Sequence, residues 1–131
     1  MIEDHEGRRT HPYRDTAGCL TIGVGRNLTA RGLAADEIDL LRDNDLRLAQ
    51  VICRDLFGAG FASWPAARQQ ALISMAFNLG EPRLAGFRRM RAAIAAGDWH
   101  RAASEALASR WARQTGRRAI HIAELMRAGK S

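Results

Sequence analysis

A chain of 131 residues, 47% hydrophobic and 26% charged, is long enough for one domain with a real core and too balanced in composition for global disorder. No apolar run approaches the ~20 residues that span a bilayer, two cysteines make no disulfide scaffold, and four scattered histidines offer no metal-ligand cluster. The formal charge of +6 is uneven: residues 1–58 carry eight arginines against ten carboxylates, and residues 59–131 twelve lysines and arginines against four. A basic half suits a polyanionic partner, either nucleic acid or an acidic cell envelope, but also a plain arginine-rich solubilising surface.

In chain order, residues 1–6 read as a short helix ending at Gly7. This start has neither a basic n-region nor an apolar h-region, so it does not read as a signal peptide. From Pro12 a strand enters a turn at Asp15-Thr16-Ala17-Gly18. Leu20, Ile22 and Val24 then alternate with Cys19, Thr21 and Gly23, the period-two pattern of a half-buried strand. Thr29 is placed to cap a short turn closed by Gly32.

Beyond that the pattern is helical. Residues 35–57 form the longest periodic segment, with Leu41, Leu48, Ile52 and Leu56 near one face. Further helices are predicted over 66–79, where Gly80 and Pro82 stop it, and over 86–96, 98–108, 109–113 and 117–128, with Asp98 as a cap. Met75, Phe77, Leu79 and Trp111 read as core; Cys19 and Cys53 read as structural, with a bridge between them left open. The fold class is α+β, mainly α. A small N-terminal α/β lobe with a β-hairpin (1–34), a connecting helix (35–57) and a helical lobe (58–131) form a single domain with a cleft between its parts.

The stretch from Glu6 to Gly25 carries the chemistry. It places one carboxylate at a helix end, a second in a turn nine residues later, and the Thr21 hydroxyl on the returning strand. Glycosidic cleavage needs such a pair: a carboxylic acid to protonate the leaving oxygen, and a carboxylate to attack the sugar or activate water. The helix macrodipole disfavours an anion at Glu6, which suits the acid role. Asp15, in a polar turn, suits the ionised role. Spacing alone leaves the plain alternatives open, a surface glutamate and a turn-capping aspartate.

The pattern Glu-Gly-x-Arg, Tyr-x-Asp-x-x-Gly, Thr-Ile-Gly-x-Gly resembles the phage lysozymes of the T-even type, glycoside hydrolase family 24. Ala71–Gly80 is similar to the family's central buried helix, and Ser109–Ala119 to its second signature, Arg-Trp-x-x-Gln-Thr-x-x-Arg-Ala. The likeness covers nearly the whole chain. It implies a lysozyme-like fold and a peptidoglycan hydrolase that cuts the β-1,4 bond between N-acetylmuramic acid and N-acetylglucosamine with inversion. Glu6 is then the general acid, Asp15 the carboxylate on the opposite face, and Thr21 the water-positioning hydroxyl. Gln114 and Thr115 line the cleft, and Arg118 approaches Glu6 and orients it.

The resemblance implies glycan strands as the partner, no cofactor, no metal, no nucleic acid, no stable membrane insertion, and a monomer. It also implies an enzyme made in the host cytoplasm that reaches the periplasmic wall on release for cell lysis, as an endolysin, a virion-associated protein or one domain of a longer chain. Two departures stand out. The family's histidine after Thr-Ile-Gly-x-Gly is Arg26 here, which can keep an ion pair with a carboxylate but not a pH-sensitive one. The segment from Leu28 to Asp36 is shorter. The competing readings are a lytic transglycosylase acting on the same bond, and a non-catalytic basic module that binds cell wall or nucleic acid through Arg88-Arg89-x-Arg91 and Arg117-Arg118.

Overall fold

A computed structural model describes residues 1–129, which divide into two compact units with the boundary between Arg42 and Asp43. The first unit opens with helix α1, Ile2–Glu6. Gly7, at φ 77°, closes it by donating its N–H to the Glu3 carbonyl at 2.8 Å. Three antiparallel strands follow in the order β1 (Arg9–Arg14), β2 (Leu20–Gly23) and β3 (Arg26–Asn27).

Strand β1 starts three residues before the predicted one and bulges. Tyr13 faces Thr21 and Arg14 faces Leu20, yet Arg9 faces Gly23, so four steps on β1 oppose two on β2. Pro12, without an N–H for the ladder, fits that irregular stretch. Strand β3 is two residues long, too short for any periodic signal, and went unread in the sequence. The cap at the following turn also differs from expectation. The Thr29 hydroxyl is spent accepting the Leu20 N–H at 2.8 Å, and Asn27 Oδ1 caps the turn by accepting the Ala30 N–H at 2.9 Å.

Helix α2, Ala35–Phe57, matches the longest predicted helix. Its start is fixed by Glu37, whose Oε1 accepts the Ala34 N–H at 2.8 Å, the back-reaching half of a capping box. The same oxygen pairs with Arg26 at 2.6 Å. Arg26 therefore does hold a carboxylate, as its place after Gly25 suggested. This pairing draws the Glu37 carboxyl down to about 2 and raises the Arg26 guanidinium. Of the predicted apolar face of α2, Ile52 is buried and Leu56 half-buried, but Leu41 and Leu48 are exposed; Ala49 and Cys53 complete the buried set.

The second unit is helical: a 3₁₀ turn at Ala59–Ser63, then α3 (Ala66–Leu79), α4 (Glu81–Ala85), α5 (Arg88–Ala95), α6 (Trp99–Leu107), α7 (Arg110–Thr115) and α8 (Arg117–Ala128). Helix α3 stops at Leu79 as predicted, and α4 follows at once. Pro82 sits in its first turn, where no helical N–H is needed, so it starts a helix as well as ending one. The Asp98 cap is present, accepting the Arg101 N–H at 3.0 Å.

Helix α8 packs on α3 and α6, and α5 on α6. Buried alanines such as Ala71, Ala102, Ala103, Ala106 and Ala123 let these backbones approach, and Leu72, Met75, Leu84, Met90, Ile122 and Met126 fill the space between. Phe61, Trp64 and Trp99 form an edge-to-face run with ring centroids 5.5 and 5.1 Å apart. Phe77, expected in the core, is 46% exposed because it lies on the far side of α3 from Leu72, Met75 and Leu79. Both cysteines are free. Burial pushes the Cys53 thiol up to about 12.

Candidate active site

Three of the six site residues predicted from sequence lie in the sheet unit. Asp15 directly follows β1 and continues its pairing: its N–H donates to the Cys19 carbonyl at 2.9 Å, and its own carbonyl accepts from Gly18 at 2.9 Å. This tight turn needs Gly18 at φ 82°. The carboxylate is built into the same turn. Oδ1 accepts the N–H groups of Ala17 at 2.9 Å and Cys19 at 2.8 Å. One carboxylate oxygen is thus held by two backbone donors, which leaves Oδ2 outside these bonds.

Thr21 stands opposite Tyr13, so the two share a face of the sheet. Asp15 is two residues beyond Tyr13 and opposite Cys19, which puts it on that face too. Thr21 is 4% exposed. Its hydroxyl donates to the Cys19 carbonyl at 3.0 Å. With its proton committed, the oxygen has only lone pairs left to offer. The register therefore gathers a carboxylate oxygen and an acceptor-only hydroxyl on one face of one hairpin.

Glu6 is the last residue of α1 and is exposed. Its carboxyl lies against the backbone of Gly25, in the turn between β2 and β3. A Cβ built on Gly25 would fall 2.9 Å from Oε2, 3.1 Å from Cδ and 3.2 Å from Cγ of Glu6. Gly25 is the last glycine of the Thr-Ile-Gly-x-Gly pattern, which by itself assigns it no contact with Glu6. The available signal was Gly23-Val24-Gly25 itself, since glycine after a strand often marks a close backbone approach.

The other three predicted residues lie in the helical unit. Gln114 and Thr115 end α7, with Gln114 exposed and Thr115 half-buried. The Thr115 hydroxyl donates to the Trp111 carbonyl at 2.9 Å. Arg118 is exposed in the first turn of α8. Trp111 is core, 4% exposed, and its indole N–H donates to Asn78 Oδ1 at 2.8 Å.

The helical unit also has a surface cavity of about 590 Å³ over Leu79, Phe87, Met90 and Trp111, rimmed by Arg83, Arg88, Arg89 and Arg110 and by Glu105. Arg91, read in the basic-module alternative as a ligand contact, turns inward and donates to the Ala85 carbonyl at 2.8 Å. Among the described residues no helix is long and apolar enough to cross a membrane.

The phage lysozyme family model matches residues 3–127, so the chain belongs to the phage lysozyme family. That family implies a lysozyme-type glycoside hydrolase that acts on peptidoglycan. The chain is also similar to the pre-baseplate central spike protein Gp5 of Enterobacteria phage T4, at 29% identity over 156 aligned residues. The alignment covers 98% of this chain and 27% of that protein, so this chain spans about a quarter of its curated relative.

Proposed function

We propose that this chain is a muramidase that hydrolyses the β-1,4 bond between N-acetylmuramic acid and N-acetylglucosamine with inversion. Glu6 donates a proton to the leaving oxygen. A water on the opposite face of the sugar donates one hydrogen bond to Thr21 and gives its other proton to Asp15 Oδ2, so that a lone pair is free to attack carbon. The observation that carries this reading is the state of the hairpin: the Thr21 proton is spent on Cys19 and one Asp15 oxygen is spent on two backbone N–H groups. What remains is what a nucleophilic water needs, one weak acceptor to orient it and one anionic acceptor to take its proton.

Gln114, Thr115 and Arg118 contact the glycan from α7 and α8 in this proposal. The protein works as a monomer, needs no metal or cofactor and does not act on nucleic acid. It reaches the wall on release for cell lysis or as part of a virion. The name of its relative, a spike protein, favours the virion.

Product analysis on purified peptidoglycan tests the reaction. Newly released muramic ends should carry a reducing group, first seen as the α-anomer. Anhydro ends, lighter by one water, would mean a lytic transglycosylase. A first-formed β-anomer would mean retention. No cleavage, with salt-sensitive binding to wall or DNA, would mean a basic binding module.

A further inference from the structure

We propose that Gly25 is a positioning residue that fixes the Glu6 carboxyl; this rests on the reading of Glu6 as the proton donor. A glutamate side chain at a helix end has three rotatable bonds and, when exposed, samples several rotamers. A general acid has to be held within about 0.5 Å of its working place. Here the outer half of Glu6, from Cγ to Oε2, lies across the Cα of Gly25 at distances a methyl group would not tolerate, 2.9 to 3.2 Å from a built Cβ. Attractive carbon contacts lie nearer 3.5–4.0 Å.

Gly23 isolates the effect. It lies two residues earlier with nearly the same positive φ, 69° against 72° at Gly25. A side chain at either position is therefore strained to a similar degree. Yet a Cβ on Gly23 meets nothing within 4 Å, whereas the three atoms nearest to one on Gly25 all belong to Glu6. Because what it meets is the far end of a flexible side chain, the fold can yield by moving the carboxyl. Gly25→Ala should then cost little more stability than Gly23→Ala and far more turnover.

The test compares Gly23→Ala, Gly25→Ala and Glu6→Gln for reducing-end release from peptidoglycan, with melting temperatures. We expect Gly25→Ala to fall at least tenfold below Gly23→Ala in kcat at similar KM and similar Tm, and Glu6→Gln to be inactive. The loss from Gly25→Ala should shrink when Glu6→Asp is added, because the carboxyl then retracts by one methylene. Equal kcat in the two glycine variants, with Glu6→Gln inactive, would overturn the role of Gly25 and leave Glu6 standing. Full activity of Glu6→Gln would remove the reading on which it rests. If Gly25→Ala melts far below Gly23→Ala, adding Glu6→Ala should restore it to the Gly23→Ala level; no restoration would also overturn the proposal.

Discussion

Among the described residues, the only buried one before Arg42 is Thr21, whereas every buried hydrophobic side chain lies at Ala49 or beyond. The sheet unit is organised by hydrogen bonds, glycine turns and the Arg26–Glu37 pair. The helical unit is organised by packed alkyl and aromatic groups. The proposed chemistry falls in the unit with little apolar core. Polar groups there are held by backbone donors and acceptors, so carboxylates can be fixed in place while staying open to substrate. In a packed core, each such group would carry a desolvation cost.

This contrast can be broken by experiment, because it predicts that rate and stability respond to different units. After loss of the Glu6 proton donor, Asp15→Asn should have the largest effect on rate. The amide keeps Oδ1 as acceptor for the Ala17 and Cys19 N–H groups but loses the anion, so kcat should fall by about 10²–10⁴-fold with Tm nearly unchanged. Leu72→Ala should do the reverse. Leu72 is fully buried in the helical core, and truncation should cost about 2–5 kcal/mol by thermal or denaturant unfolding, while kcat per folded molecule holds. A variant of either kind that moved both quantities equally would dissolve the distinction.

Thr21→Val and Thr21→Ser sharpen it further. Valine keeps the shape and removes the acceptor, so a kcat loss of roughly 10-fold, about 1.4 kcal/mol, is expected, with serine restoring most of it. The smallest effect concerns acid. Glu37 lies below its ordinary 4.5 at about 2 in the fold. Its contribution is present in full above about 4.5, declines as pH falls below that, and is gone once pH has dropped through about 2. Glu37→Gln should lower stability by a constant amount above about pH 4.5 and flatten the stability–pH curve between about 4.5 and 2. A step in the difference between wild type and variant around pH 6–7 would contradict this, because that is where a histidine titrates.

Much of the fold was legible because long amphipathic helices write a strong period into sequence. Residues 35–57 and 66–79 match α2 and α3, and Asp98 caps its helix as expected. What was hidden had no period. Strand β3 has two residues, α4 has five, and the β1 bulge breaks alternation. The exposure of Leu41 and Leu48 was hidden for another reason: a periodic stripe says which residues share a helix face, not whether anything covers it. In the candidate site, Asp15 and Thr21 were legible only once their spacing was matched to the family pattern, and the hairpin register relates the two positions. The spent proton of Thr21 and the double backbone hold on Asp15 are through-space facts without a sequence signature, and Gly23-Val24-Gly25 marks a close approach without saying that Glu6 is what approaches.

The most direct test is reducing-end release from purified peptidoglycan by the wild type and by folded Glu6→Gln. Glutamine keeps the size and polarity of the side chain and removes the transferable proton. The account predicts steady release by the wild type and none above background for the variant, at unchanged Tm and undiminished wall binding. Release by the variant at the wild-type rate would contradict it.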